Sequence, residues 1–319
     1  MQAPHAEMFE HIQCYACGGD DPSPLCEAED DLTGKPGRFH FVKCRACGLA
    51  YQNPRLGLPS ISAYYDDEYI AHRKKTDWGW LTPLYRRAMN KHDRDKAALV
   101  SGYVDLNSES RLLDVGCGAG TFLAWMRQTH GLSATGVDFK DLSQTPWLKD
   151  LTFRCGLFYE QNFEDQRFDL ITMWHFLEHD YDPPRTLKHA AQLLSDKGRL
   201  VIEVPRLDSL SARLYGNRWP GLQAPQHTVL FDRESLQSMV RSAGLEIVEY
   251  LPYGAFPSYF YLFAGLAFKL LKGRGLNLER AILPYFLGQA ALLPVLLFEK
   301  RLNLAMQTVV CRRQGANGG

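Results

Sequence analysis

Glycine stands at every second position of Gly116-Cys117-Gly118-Ala119-Gly120, directly after Arg111-Leu112-Leu113-Asp114-Val115 and directly before Thr121-Phe122. Apolar residues run into an acid, then three glycines, then a helix-like stretch from Thr121 to Gln128. That order predicts strand, tight loop, helix. The glycines let the backbone turn sharply and approach a ligand closely, and the helix start behind them offers unpaired N–H groups. The spacing is Gly-x-Gly-x-Gly, not the Gly-x-Gly-x-x-Gly of dinucleotide folds. Leu132 to Val137 predicts a second strand ending at Asp138, about twenty residues beyond the loop. A carboxylate there can accept both hydroxyl protons of a ribose diol.

Asp114-Val115-Gly116-Cys117-Gly118-Ala119-Gly120 resembles the first motif of the class I S-adenosylmethionine (SAM) methyltransferases, and Asp138 matches their ribose-binding acid. The resemblance implies that Asp114, Gly116, Gly118 and Gly120 cradle the methionine end of SAM. A nucleotide fold without SAM is the competing reading.

Length and composition set outer bounds. A chain of 319 residues can bury a large core and hold more than one domain. Its formal net charge is zero, so no global field recruits nucleic acid. Eight cysteines are too few for a disulfide scaffold, and four of them stand in two pairs, which suits a reducing compartment with a metal site. Met1-Gln2-Ala3-Pro4-His5 opens no basic and apolar signal segment, so the expectation is a cytoplasmic protein.

The pairs are Cys14-Tyr15-Ala16-Cys17-Gly18 and Cys44-Arg45-Ala46-Cys47-Gly48. Two such knuckles aim four sulfurs at one point, which suits tetrahedral Zn²⁺, and four thiolates leave no open position, so the metal is expected to be structural. Four unrelated buried cysteines are the alternative. Phe39 to Lys43 alternates like a strand leading into the second knuckle. Residues 1–60 hold five Lys or Arg against eight Asp or Glu, a poor balance for phosphate binding, which argues against a nucleic-acid partner.

Tyr51-Gln52-Asn53-Pro54-Arg55 follows, then Tyr64-Tyr65 and Tyr69. A zinc ribbon, this turn and a Tyr pair ahead of a SAM domain resemble a subgroup of zinc-bearing methyltransferases of sugar, surface-polysaccharide and natural-product pathways. The three tyrosines either line an acceptor pocket or pack the ribbon on the main domain.

Phe168 to Trp174 predicts a strand buried on both faces. Its carboxyl end meets His175-Phe176-Leu177-Glu178-His179, where an open parallel sheet places its chemistry. Leu-Glu-His and Asp182-Pro183 resemble the same subgroup, and also quinone O-methyltransferases. On a helix His175, Glu178 and His179 would share one face. They would serve as a general base, as a divalent metal site, or as polar residues that only hold the turn. Trp174 and His175 are the better placed to meet the cofactor. Arg199 to Pro205 predicts the fifth strand.

Residues 206–227 lack a clean period and form a lid. Asn217-Arg218-Trp219-Pro220-Gly221 and Pro225-Gln226-His227-Thr228-Val229-Leu230-Phe231 resemble the subgroup's pattern, which places a histidine near the acceptor, so His227 leads as base. Pinning a loop is its other reading. Leu251 to Phe268 and Ile282 to Phe298 carry no charge, and basic residues flank them. Each barely reaches spanning length and both contain proline, so a span is not expected. The expectation is a helical hairpin lying on the inner face of a membrane, or buried helices that cap the domain or make a homodimer.

Together these features predict an α/β fold with a seven-stranded Rossmann-like sheet. Residues 1–60 are the ribbon, 61–250 the SAM-binding core with its lid, 251–305 the insertion, and 306–319 the last strand and tail. The expected activity is SAM-dependent O-methylation of a sugar in a polysaccharide or glycolipid intermediate, which can be lipid-linked. A quinone or isoprenoid acceptor, sugar C-methylation and a non-enzymatic SAM-binding scaffold are the alternatives.

Overall fold

The computed structural model describes residues 8–65, 82–272, 274–276 and 278–315; Tyr69, expected near an acceptor, lies outside them. The first module holds five short strands: β1 (Phe9–Glu10), β2 (Pro22–Ala28), β3 (Phe39–Cys44), β4 (Ala50–Gln52) and β5 (Arg55–Leu56). Helix α1 (Leu58–Ile61) closes it. Glycine after each second cysteine takes a positive φ, 70° at Gly18 and 79° at Gly48. Their N–H groups donate back to the carbonyls of Cys14 and Cys44, which forms the two knuckles.

A long amphipathic helix, α2 (Thr82–Ser101), leads to the main sheet. Its elements follow as β6 (Arg111–Val115), α3 (Thr121–His130), β7 (Ser133–Asp138), β8 (Thr152–Cys155) and β9 (Phe168–Trp174). Next come α4 (Pro183–Leu193), β10 (Leu194–Pro205), α5 (Leu210–Tyr215), β11 (Val229–Leu230), α6 (Arg233–Ser242) and β12 (Leu245–Leu251). The C-terminal part adds α7 (Ser258–Leu271), α8 (Leu278–Ala291), α9 (Leu293–Leu296) and β13 (Met306–Arg313).

Seven strands lie in the order β12-β13-β10-β9-β6-β7-β8. The pairs β10/β9, β9/β6, β6/β7 and β7/β8 are parallel, while β13 runs antiparallel to both neighbours. This is the sheet that the run of strands and crossover helices predicts. β9 carries six buried residues of seven because helices cover both its faces. Local signals set the helix starts: Asp182 caps α4 ahead of Pro183, and Asp232 with Ser235 makes a capping box for α6. β10 starts earlier than expected, at Leu194. Its register against β9 shifts between Leu194 and Arg199, so Ser195 to Gly198 lie within the strand as an irregularity.

The ribbon is not a separate bead. Its sheet has the order β11-β4-β3-β2, and β11 directly follows the lid. Leu49 and Tyr51 share one buried cluster with Leu177, Val229 and Phe231. Arg55 stacks over the rings of Tyr15 and Tyr181 and donates to the Tyr181 carbonyl at 3.0 Å. The lid holds more order than its sequence suggests: α5 begins under a Ser209 cap, and Trp219 is buried with its indole N–H on Ser211. α7, α8 and α9 lie between β12 and β13 in the chain. No helix among the described residues is long and apolar enough to cross a membrane.

Candidate active site

Three groups of side chains converge beyond the carboxyl ends of β6, β7, β9 and β10. The first surrounds the glycine loop. Gly116, Gly118 and Gly120 hold φ of 73°, 52° and 81°. A Cβ would meet the Phe176 ring at 2.7 Å from Gly116, and Leu148 at 2.3 Å from Gly120. Only glycine fits there, so the bare backbone faces the space before α3. Asp114 accepts from Thr172 Oγ1 at 2.6 Å. Burial pushes its carboxyl up to about 7 against the opposing charge of Lys96. Asp138, ending β7, accepts from Gly118 N at 3.0 Å through one oxygen and from Lys140 N at 3.1 Å through the other. Burial moves it up to about 6, with those backbone donors acting against the shift. Each carboxylate oxygen can take more than one bond, so a ribose diol fits here.

Trp174, expected to meet the cofactor, is buried on the side of α2 and α3. Its ring meets Phe122 edge-on at 5.7 Å, and the Lys96 ammonium lies 5.3 Å from its centroid. Its indole Nε1 finds no hydrogen-bond partner among the described residues. α2 sends Asp93 and Lys96 toward this site, and Asp93 accepts from Thr121 Oγ1 at 3.4 Å. The available signal was the spacing of Asp93, Lys96, Ala97 and Val100 on one face.

The second group centres on His175. Its backbone takes φ 52°, a left-handed conformation uncommon for a side-chain-bearing residue, and only Leu177–His179 follow as one short 3₁₀ turn. The single helical face expected for His175, Glu178 and His179 therefore does not form. His175 Nε2 lies 3.2 Å from Glu203 Oε1, and Nδ1 lies 3.3 Å from Glu178 Oε1. Glu203 also accepts from the N–H groups of Ala255 and Phe256 at 2.6 and 2.9 Å. Burial disfavours the imidazolium, but the two carboxylates outweigh it and raise His175 to about 9. The same ion pair holds Glu203 below its usual range despite burial. Glu203 escaped the sequence reading, although an acid inside an apolar strand was its signal.

The third group joins lid and turn. His179 and His227 meet edge-on with centroids 4.4 Å apart. The Tyr65 hydroxyl lies 3.0 Å from His179 Nδ1, which is also 3.0 Å from the Gln226 carbonyl. His227 Nδ1 lies 2.8 Å from the Gly221 carbonyl. A carbonyl only accepts, so Nδ1 carries the proton and Nε2 is the basic nitrogen of His227. Burial lowers both histidines to about 3, so both are neutral at neutral pH. Glu178 is 1 % exposed and, among the described residues, neither of its oxygens has a hydrogen-bond partner, which leaves the His175 contact as an ion pair. Ligand atoms of Glu178, His179 and His227 all lie within 4.8 Å of one another, a set able to hold a divalent cation. Tyr64 instead packs on Phe39 in the ribbon.

The cysteine prediction meets a compact donor set. Sγ atoms of Cys14, Cys17, Cys44 and Cys47 all lie within 4.8 Å of one another. Cys14 and Cys47 are 3.5 Å apart, and Cys17 and Cys44 are 3.6 Å apart. Four soft sulfurs at such spacing fit tetrahedral Zn²⁺ held without an open position.

A family model described as "Methyltransferase domain" matches residues 85–250, more than half of the chain. Among curated proteins, the "Ubiquinone biosynthesis O-methyltransferase" of Coxiella burnetii is 35% identical over 97 residues, which cover 28% of this chain and 41% of that one. The protein of that name from Saccharophagus degradans is 28% identical over 173 residues, 49% of this chain and 72% of that one. A "Sphingolipid C9-methyltransferase 1" of Gibberella zeae is 29% identical over 107 residues, 30% of this chain and 21% of that one. The chain thus spans about two fifths of the length of the first of these relatives. Among solved structures, a "putative sarcosine dimethylglycine methyltransferase" from Galdieria sulphuraria superposes with a TM-score of 0.48 at 15% identity, covering 72% of this chain and 88% of that one. With its mostly parallel sheet, its glycine loop and the matched residues 85–250, the chain belongs to the methyltransferase-domain family and carries a SAM-dependent methyltransferase domain.

Proposed function

We propose that the protein transfers the methyl group of SAM to a hydroxyl oxygen of a small-molecule acceptor, with His227 receiving the proton. One observation carries this reading: His227 is fixed by its Nδ1–H on Gly221, is neutral, and brings a ring nitrogen within 4.8 Å of ligand atoms of Glu178 and His179. SAM supplies a methyl already activated by its sulfonium. Asp114, the Gly116–Gly120 backbone and Asp138 orient it, so alignment supplies much of the rate. The C–S bond breaks as the C–O bond forms, and the acceptor proton passes to His227 Nε2. An imidazole held near pKa 3 is a weak base for a free hydroxyl. It is strong enough once methylation has begun, because an oxygen gaining a third bond becomes far more acidic than an imidazolium. Proton transfer is then late and methyl transfer leads.

His175 takes a different role from the expected base. Clamped between Glu178 and Glu203 as a cation, it has no lone pair to offer; it pairs with both buried side chains and fixes the turn. The group of Glu178, His179 and His227 also suits a divalent ion that would polarise the hydroxyl.

A sugar hydroxyl of a surface-polysaccharide or glycolipid intermediate is the first acceptor reading, supported by the ribbon, the Asn-Pro-Arg turn and the lid pattern. A quinone-type lipid is the second, favoured by relatives named for ubiquinone biosynthesis. Methyl-labelled SAM incubated with the protein and an extract of its native cells tests both. Label in an organic phase selects a lipid-borne acceptor, and label in water a soluble sugar. No transfer to any fraction, with SAM binding intact, would leave a SAM-binding scaffold instead. Zinc content measured on the purified chain tests the ribbon.

A further inference from the structure

The helical pair before the last strand presents apolar side chains to the outside. Among the described residues, eighteen large hydrophobics are exposed, and ten of them lie between Leu266 and Leu302. Leu270 and Leu297 are 73% and 74% exposed. The inward face of α7 is used up, with Ala264 and Phe268 buried against Leu276. Its outward face carries Leu266 and Leu270 four residues apart. α5 packs beside it through Tyr215 Oη on the Leu262 carbonyl, and shows Leu210 and Leu214 with the same spacing. Folded monomers scatter such residues singly, and a dense group of them marks a surface that meets something apolar.

Charge decides what that is. From Ser258 to Leu302 the basic residues are Lys269, Lys272, Arg274, Arg280, Lys300 and Arg301, and the acids are Glu279 and Glu299. Glu299 is engaged with Ser258 at 2.8 Å. A two-fold pair of chains meeting through this face would set cations against cations. An anionic lipid surface complements both the apolar side chains and the cations. α7 has 14 residues, about 21 Å at 1.5 Å per residue, short of the roughly 30 Å of a bilayer core. α8 contains Pro284. The pair fits a position in the plane of the interface.

We infer that α5, α7 and the segment from α8 to Leu302 form a peripheral docking surface for an anionic bilayer. It does not depend on which acceptor the enzyme uses. The test is flotation of the full chain with vesicles of phosphatidylcholine alone and of phosphatidylcholine with phosphatidylglycerol, at low and high salt. The expected result is flotation with anionic vesicles that weakens with salt. The double variant Leu270→Glu/Leu297→Glu should reduce binding about tenfold or more with an unchanged melting temperature, since both side chains already face solvent. Lys272→Glu/Arg301→Glu should remove the preference for anionic lipid. No flotation with either vesicle overturns the inference, as does binding equal to the parent in the leucine variant. A dimer that the leucine variant dissociates, without vesicle binding, also overturns it and makes the face a protein contact. Label transfer from SAM is measured without vesicles, so the two readings fail separately.

Discussion

His175 shows how one residue's backbone can redirect a site. Its left-handed φ ends β9 abruptly and turns the imidazole between Glu178 and Glu203 rather than along a helix with His179. Its charged state has a consequence for stability. The folded pKa, about 9, lies above the ordinary 6.5. The ion pair therefore contributes fully below about pH 6.5 and is lost as pH rises through about 9. Comparing melting temperatures of the parent and His175→Gln across pH 6–10 should show a wide gap at the acid end that narrows at the alkaline end. A gap independent of pH would mean that His175 is neutral. His227 is expected to behave differently. His227→Ala should lower kcat by about 10²–10⁴ with SAM affinity unchanged. The parent should show no acid limb near pH 6.5 from this group, because burial holds it near 3. Activity within a few-fold of the parent would place the proton acceptor elsewhere. His227, Asp138 and the glycines were legible because each sits in a local pattern. Glu203, Asp93 and Lys96 were not, because they reach the site across the sheet from strands and helices that look structural in isolation.

At the scale of elements, the two-residue pairing of β4 with β11 matters more than its length suggests. Val229 lies opposite Tyr51 and Leu230 opposite Ala50. Gln52 extends the contact: its N–H donates to the Thr228 carbonyl at 2.8 Å, and its side-chain amide lies 3.5 Å from the carbonyls of Pro225 and His227. The ribbon thereby holds the backbone on which His227 is mounted. Replacing Cys14 and Cys44 with Ser should raise hydrogen exchange across 225–231 well before the parallel strands β6, β7 and β9 lose protection. Equal exchange in parent and variant would show that the knuckles and the lid are independent. A subtler variant, Gln52→Ala, should lower kcat several-fold through the placement of His227, with SAM affinity kept. In sequence only the neighbouring strand β3 was legible, through the alternation of Phe39 to Lys43 into the second knuckle. The pairing of β4 with β11 was not, because pairing across so long a separation is set by tertiary packing rather than by local pattern.

In the whole molecule, the α/β class and the mostly parallel sheet were legible in the succession of apolar runs and glycine turns, which repeat one local rule several times. The division into a ribbon at 1–60 and a core at 61–250 captures chain order but not physical boundaries, since Cys14, Leu49 and Tyr51 share a buried cluster with Ile171, Val204 and Phe231. Deleting residues 1–60 should therefore yield an aggregating product rather than a smaller methyltransferase, as judged by solubility and SAM binding of the truncated chain. A soluble, SAM-binding truncation would restore the modular view. The shared edge between β4 and β11 also limits how such enzymes can diverge. An exchange of lid segments between two related chains, aimed at a new acceptor, carries over the loop but not the strand it was fitted to. Successful exchanges should transplant residues near 50–52 together with those near 225–231, so inheritance at these two places is expected to be linked despite the distance between them in the gene.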